Sequence, residues 1–66
     1  MKATINGEMR ELPDGTTVAA LLQDLGAPRS GIAVAHNQRV VRRADYDTAH
    51  IADGDTVEII KAVAGG

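Results

Sequence analysis

Residues 17–28 read TVAALLQDLGAP and carry the clearest structural signal of the 66-residue sequence. Apolar side chains recur there at the i, i+3, i+4 and i+7 spacing of an α-helix, at Val18, Leu21, Leu22 and Leu25. Thr16 or Thr17 can cap its first turn, Gly26 suits the residue just past its end, and Pro28 prevents its continuation. The helix has only about two and a half turns, too few for stability in isolation, so its apolar face must pack on a sheet.

The segment before this helix predicts a β-hairpin. Residues 3–5 favour a strand, and Asn6-Gly7 is typical of a tight hairpin turn because both residues tolerate positive φ. A two-residue turn would place apolar Ile5 opposite charged Glu8 on one face of the hairpin. A turn that is one residue longer is therefore compatible with the sequence as well.

The segment after the helix predicts three further strands. Residues 32–35 and 40–41 form a compact pair, and residues 46–51 have a weak pattern that indicates irregular or short helical structure. The Asp-Gly-Asp sequence at 53–55 predicts a turn, and 56–63 is the longest strand-favouring stretch. The order of elements predicts an α+β roll in which one main helix packs on a mixed sheet of four or five strands.

Composition excludes several classes of function. The chain has no Cys, which rules out disulfides, thiolate zinc sites and thiol nucleophiles, and Tyr46 is its only aromatic residue. The net charge of −2 gives no basic footprint for nucleic acid, and the longest apolar run, 18–22, is far shorter than a membrane span. We expect a cytoplasmic protein that is too small for a self-sufficient active site, without nucleic-acid or membrane partners.

Few side chains indicate metal binding or catalysis. His36 and His50 lie fourteen residues apart, without the spacing of metal ligands, so we expect surface or hydrogen-bonded histidines and no metal. Asp53 and Asp55 are typical of turn chemistry. The basic residues of 29–43 and the acidic residues of 45–58 fall in separate segments, which predicts faces of opposite sign, and the arginines favour a solvated or partner-docking surface over a phosphate site.

The last three residues are Ala64, Gly65 and Gly66, and two interpretations fit them. One is a frayed end without a role. The other is a reactive carboxylate at Gly66, with Ala64 and Gly65 narrow enough to thread into a partner's channel. A carboxylate must be activated before a nucleophile can attack it, and the chain has no GxxxxGK[ST] loop for ATP, so activation would require a partner enzyme.

The alternation of the last strand divides its side chains between two faces. Val57 and Ile59 point to one face, which we expect to be the core. Ile60 and Ala62 point to the other face, next to the terminal residues. They form either an exposed apolar patch for partner docking or a second core layer.

Several of these features together resemble the ThiS family of thiamine-pathway sulfur carriers. The matching features are Ile5-Asn6-Gly7, the helix that starts at Thr17-Val18 and carries Leu21, Leu22 and Leu25, Ala33-Val34-Ala35 followed by Asn37, Asp53-Gly54-Asp55, and Ala64-Gly65-Gly66. The resemblance implies a ubiquitin-like β-grasp domain at 1–63 and a flexible tail at 64–66. It also implies a carrier that is not an enzyme and binds no cofactor itself.

The resemblance further implies a role for Gly66. A ThiF-type adenylyltransferase would use ATP to adenylate Gly66, a sulfur donor system would convert it to a thiocarboxylate, and thiazole synthase would take the sulfur. Arg42 and Tyr46 depart from the family pattern, in a segment that can help to shape a docking surface. Related carriers for molybdopterin, tungsten-cofactor or cysteine synthesis, a ubiquitin-like protein modifier and a plain interaction module are the alternatives.

Overall fold

Five strands, one α-helix and one 3₁₀ turn follow one another in the computed structural model, which describes residues 1–61. They are β1 (Lys2–Ile5), β2 (Glu8–Glu11), α1 (Val18–Asp24), β3 (Ile32–His36), β4 (Arg39–Val41), the 3₁₀ turn (Arg43–Asp45) and β5 (Thr56–Lys61). The sheet order is β2-β1-β5-β3-β4. β1 and β5 are parallel and the other pairs are antiparallel, so the predicted mixed sheet with one helix is confirmed.

The β1–β2 hairpin has the two-residue turn. Asn6 and Gly7 occupy the turn with φ values of 51° and 82°, and Ile5 lies opposite Glu8. The alternative prediction of a turn that is one residue longer is therefore wrong. The charged and apolar side chains are compatible because all four β2 residues are exposed, so Glu8 stays in water although Ile5 is buried.

The helix packs its predicted face into the core. Val18, Leu21 and Leu22 are completely buried, and Leu25 packs at the margin of the same cluster. Thr17 provides the N-cap, since its Oγ1 accepts a hydrogen bond from the Ala20 amide at 3.1 Å. The remaining buried apolar residues come from the sheet and the loops: Ala3, Ile5, Leu12, Val34, Tyr46, Ile51 and Val57.

The segment around Tyr46 belongs partly to the core. Tyr46 is 2% exposed, and its carbonyl accepts a hydrogen bond from the Ala19 amide at the start of the helix. The Arg29 guanidinium lies 5.9 Å from the centre of its ring. The Tyr46 ring is thus enclosed, whereas Arg42 is exposed, and a docking role for this segment stays a prediction.

Opposite charges are paired rather than separated onto two faces. Arg29 and Asp47 form an ion pair at 2.9 Å, which lowers the pKa of the Asp47 carboxyl, and Arg42 contacts Asp45 at 3.1 Å. The expectation of faces with opposite sign is therefore wrong for these residues. The 3₁₀ turn and the loop after it carry these acids back toward the basic segment.

Candidate functional site

The strand that leads to the predicted tail is the central strand of the sheet. β5 lies between β1 and β3 and ends, within the described part of the chain, at Lys61. Four residues that were predicted to serve docking, threading or modification lie outside the described residues. They are Ala62, Ala64, Gly65 and Gly66. The candidate site therefore consists of the described residues around the end of β5.

The two neighbouring strands pair with β5 over different lengths. β3 pairs with it from Val57 through Lys61, where Lys61 lies opposite Ile32. β1 pairs with it only at Thr56 and Val57. The last four residues of β5 therefore have a backbone partner on the β3 side but extend past the end of β1.

Two turn asparagines extend these ladders with their side chains. Asn6 Oδ1 accepts a hydrogen bond from the Ile59 amide at 2.7 Å, and Asn37 Oδ1 accepts one from the Thr56 amide at 2.9 Å. Both asparagines have φ near +50°, a conformation that asparagine tolerates better than most residues. Each asparagine thus lies in the turn of a hairpin and accepts a hydrogen bond from a β5 amide.

The outer face of the sheet carries an apolar strip beside the end of β5. Ile60 is 57% exposed and lies opposite Ala33, and Val40 is 77% exposed and lies opposite Ala35. On the inner face, Val57 is completely buried and Ile59 is packed against the core, as predicted. Within residues 1–61 no second layer covers Ile60, so its exposure is confirmed, and its role in partner docking stays a prediction.

A small pocket lies on the inner side of the same strand end. Its volume is about 290 Å³, and Leu25, Ile32 and Ile59 provide its apolar lining, with Asn6 and Lys61 also at its wall. The end of β5 is therefore flanked by an apolar strip on one face and by a partly apolar pocket on the other.

Nearly the whole chain matches one known protein family. The sequence profile of the ThiS family covers residues 3–66. The chain belongs to the ThiS family. The matched region includes the three terminal residues, Ala64, Gly65 and Gly66.

Individual relatives agree with this assignment to the ThiS family. The chain is 32% identical to sulfur carrier protein ThiS of Escherichia coli, over the full length of both. It is 39% identical over 66 residues to a thiazole synthase of Paramagnetospirillum magneticum, of which it spans about a fifth, 20% of that protein's length. A crystal structure of ThiS from Geobacter metallireducens has a TM-score of 0.87, 29% identity and full coverage of both chains, which confirms the β-grasp fold.

Other candidate residues of this ThiS family member have structural roles. His36 Nε2 lies 2.6 Å from Asp55 Oδ2, and His50 Nδ1 lies 2.9 Å from the Thr48 carbonyl oxygen, so both histidines are hydrogen-bonded, as predicted. Within residues 1–61 no group of three His, Cys, Asp or Glu side chains is arranged to hold a metal ion. The described part of the chain also has no helix long and apolar enough to cross a membrane.

Asp55 connects the turn before β5 to the β3–β4 hairpin. Its carboxylate accepts hydrogen bonds from the Ala52 amide at 2.8 Å and from Asn37 Nδ2 at 3.1 Å, besides its contact with His36. The Ala52 bond, together with those to His36 and Asn37, lowers the pKa of Asp55 from 3.8 to about 2. The Asp-Gly-Asp turn predicted from the sequence is confirmed.

This lowered pKa predicts how stability depends on pH. The unfolded chain takes up a proton at Asp55 near pH 3.8, whereas the folded chain resists it until about pH 2. The stabilisation, about 2 kcal/mol, is complete above about pH 5 and is lost progressively as pH falls through the folded pKa of about 2. Asp55→Asn is expected to lower the free energy of unfolding by about that amount at neutral pH and to flatten its slope between pH 4 and 2.

Urea unfolding at several pH values measures this effect, with Asp53→Asn as the matched control. Asp53 also accepts a hydrogen bond from a backbone amide, that of Lys2, but it has no histidine partner. Equal slopes for the wild type and Asp55→Asn between pH 4 and 2 would contradict the assignment.

Proposed function

We propose that this protein is a sulfur carrier of thiamine biosynthesis and that the Gly66 carboxylate is the group that carries the sulfur. One observation supports this most strongly. The family profile extends through Gly66, and the chain aligns over its full length with a relative named as a sulfur carrier. The protein is then a cytoplasmic substrate of partner enzymes and does not itself catalyse the reaction.

The proposed chemistry has two steps. A carboxylate oxygen of Gly66 attacks the α-phosphorus of ATP on a ThiF-type adenylyltransferase, and pyrophosphate leaves. Hydrosulfide supplied by the donor system then attacks the acyl carbon: the C–S bond forms as the C–O bond to AMP breaks, AMP leaves, and loss of the S–H proton gives the thiocarboxylate. The chain has no Cys, so the sulfur must come from outside.

The length of the segment that follows Lys61 limits where the partner enzyme can bind. Five residues follow Lys61, and an extended segment of that length spans roughly 17 Å. An active site that holds Gly66 must therefore lie close to the end of β5. The narrow residues Ala64 and Gly65 suit a channel that leads into such a site.

Ile60 is the described residue best placed for docking to the adenylyltransferase, and we extend the proposed patch to Ala62. Ile60 is more than half exposed and lies one residue before the end of the described strand. A few well-packed residues near the centre of an interface each contribute more than about 1 kcal/mol to binding and dominate its affinity. The patch is therefore proposed as the surface that the adenylyltransferase covers while it holds Gly66.

Ile60→Asp is expected to raise the KM of adenylation by roughly tenfold or more, because it places a charge in the buried interface. Steady-state pyrophosphate release with a ThiF-type enzyme measures the effect. Met9→Asp is the matched control, since Met9 is 70% exposed and lies on β2, opposite Thr4 and away from the end of β5. Equal KM values for the two variants would contradict docking at Ile60.

Thiazole synthase is the proposed sulfur acceptor. Two thiazole synthases, from Paramagnetospirillum magneticum and Magnetococcus marinus, each match the whole of this chain in about a fifth of their own length. A carrier-like segment within a thiazole synthase favours direct transfer of sulfur from the carrier to that enzyme. The same relatives favour the thiamine pathway over the molybdopterin and cysteine alternatives.

The test of this function is pyrophosphate release from ATP, followed by sulfur transfer. Release that requires both the carrier and a ThiF-type enzyme, followed by transfer to thiazole synthase, is the expected result. Adenylation without transfer to thiazole synthase, but with transfer to a molybdopterin or cysteine enzyme, would move the protein to another pathway. Adducts on substrate lysines would indicate a protein modifier.

A further inference from the structure

Within residues 1–61, one side chain, that of Asn6, hydrogen-bonds to the end of β5 on the β1 side. β1 ends at Ile5, and its last pairing with β5 is at Val57. In a parallel ladder, the next amide of β5 that points toward β1 is that of Ile59. No β1 residue pairs with it, and it donates instead to Asn6 Oδ1 at 2.7 Å.

Asn6 is itself held in place, which makes it a rigid acceptor. Its backbone amide donates to the Val57 carbonyl at 2.9 Å, and its φ of 51° belongs to the tight β1–β2 turn. Of the residues that tolerate this conformation, asparagine and aspartate have a short side chain with an acceptor oxygen, and glycine has none. The side chain thus takes the place of the backbone carbonyl of residue 6, which would accept this bond if β1 continued through the turn.

We propose that Asn6 is a positioning residue for the carrier reaction, because its bond to Ile59 fixes the direction in which the chain leaves β5 toward Gly66. The inference rests on the proposed function. A fixed direction increases the fraction of docked molecules whose carboxylate reaches the partner's active site. Asn6 is exposed and contributes no atom to the reaction.

This role predicts a specific kinetic effect. Asn6→Gly retains the turn but removes the acceptor, whereas Asn6→Asp retains both. For Asn6→Gly we expect kcat of Gly66 adenylation to fall roughly fivefold, the equivalent of about one hydrogen bond, while KM stays unchanged because the docking surface is intact. Asn6→Asp is expected to restore kcat.

Asn37→Gly is a stringent control for general loss of stability. Asn37 has φ of 50° and accepts from the Thr56 amide at the opposite end of β5, and it also donates to Asp55. Its removal disrupts more of the fold than removal of Asn6 but leaves the exit of β5 unchanged. We therefore expect Asn37→Gly to lower stability without lowering kcat, at a temperature where all variants are folded.

The experiment combines pyrophosphate-release kinetics with hydrogen exchange of the Ile59 amide in all four proteins. Faster exchange at Ile59 and a lower kcat in Asn6→Gly alone, both restored in Asn6→Asp, is the expected result. Equal kcat in Asn6→Gly and the wild type, or an equal loss in Asn37→Gly, would overturn the positioning role while the proposed function stands. A wild type that is not adenylated by a competent enzyme would overturn the proposed function instead.

Discussion

Deletion of Gly66 is expected to abolish sulfur loading completely, while the free energy of unfolding stays unchanged. The proposed chemistry takes place on the Gly66 carboxylate, and a chain that ends at Gly65 presents its carboxylate about 3.5 Å short of the catalytic groups. An error of even 1 Å in such a position can reduce a rate about a hundredfold. Within residues 1–61 the fully buried core spans residues 3–57, so we expect folding not to depend on Gly66.

Loading of the deletion variant is measured by intact mass after incubation with ATP, a ThiF-type enzyme and a sulfur donor. Ala64→Gly is the matched control, because it alters the same segment but retains both its length and Gly66. We expect normal loading of this control. Loading of the deletion variant at the wild-type rate would contradict the role of Gly66 and favour the interpretation of the terminal residues as a frayed end.

Tyr46→Ala is expected to destabilise the fold more strongly than Asp55→Asn. Tyr46 is the only aromatic residue, is 2% exposed and joins the loop after the 3₁₀ turn to the start of the helix. Truncation of a buried aromatic side chain to alanine costs about 3–5 kcal/mol. A domain of this size is stable by roughly 3–10 kcal/mol, so a large unfolded fraction is expected.

Urea or thermal unfolding measures this effect, and Tyr46→Phe is its control. Phenylalanine keeps the ring within the core and below Arg29, so we expect a change of less than about 1 kcal/mol. Tyr46→Ala would contradict the assignment if its free energy of unfolding remained within about 1 kcal/mol of the wild type.

The elements of the fold are predictable where the pattern is local. The helix follows from the spacing of Val18, Leu21 and Leu22 and from the Thr17 cap, all of which act within a few residues. The β1–β2 turn length is not predictable in this way. The contact between Ile5 and Glu8 is acceptable only because β2 is exposed, and that exposure depends on the whole sheet.

In the candidate site, too, some features follow from a local sequence pattern and others depend on the whole fold. The face on which Ile60 lies follows from the alternation of a single strand, with Val57 and Ile59 on the other face, but its exposure depends on the absence of a second layer over it within residues 1–61. The bonds from Asn6 and Asn37 to β5 join residues 53 and 19 positions apart, and a turn sequence does not specify such partners. The same limitation applies to Tyr46, whose enclosure depends on the helix and on Arg29 rather than on its neighbours in sequence.

The most direct test of the carrier function is the intact mass of the protein purified from its own cells and fragmented to locate any change. We predict a form that is heavier by the difference between one sulfur and one oxygen atom, with the change at Gly66. Incubation with ATP, a ThiF-type enzyme and a sulfur donor should increase that form. If neither a thiocarboxylate nor an adenylate appears at Gly66 with a demonstrably active enzyme, the carrier function is contradicted.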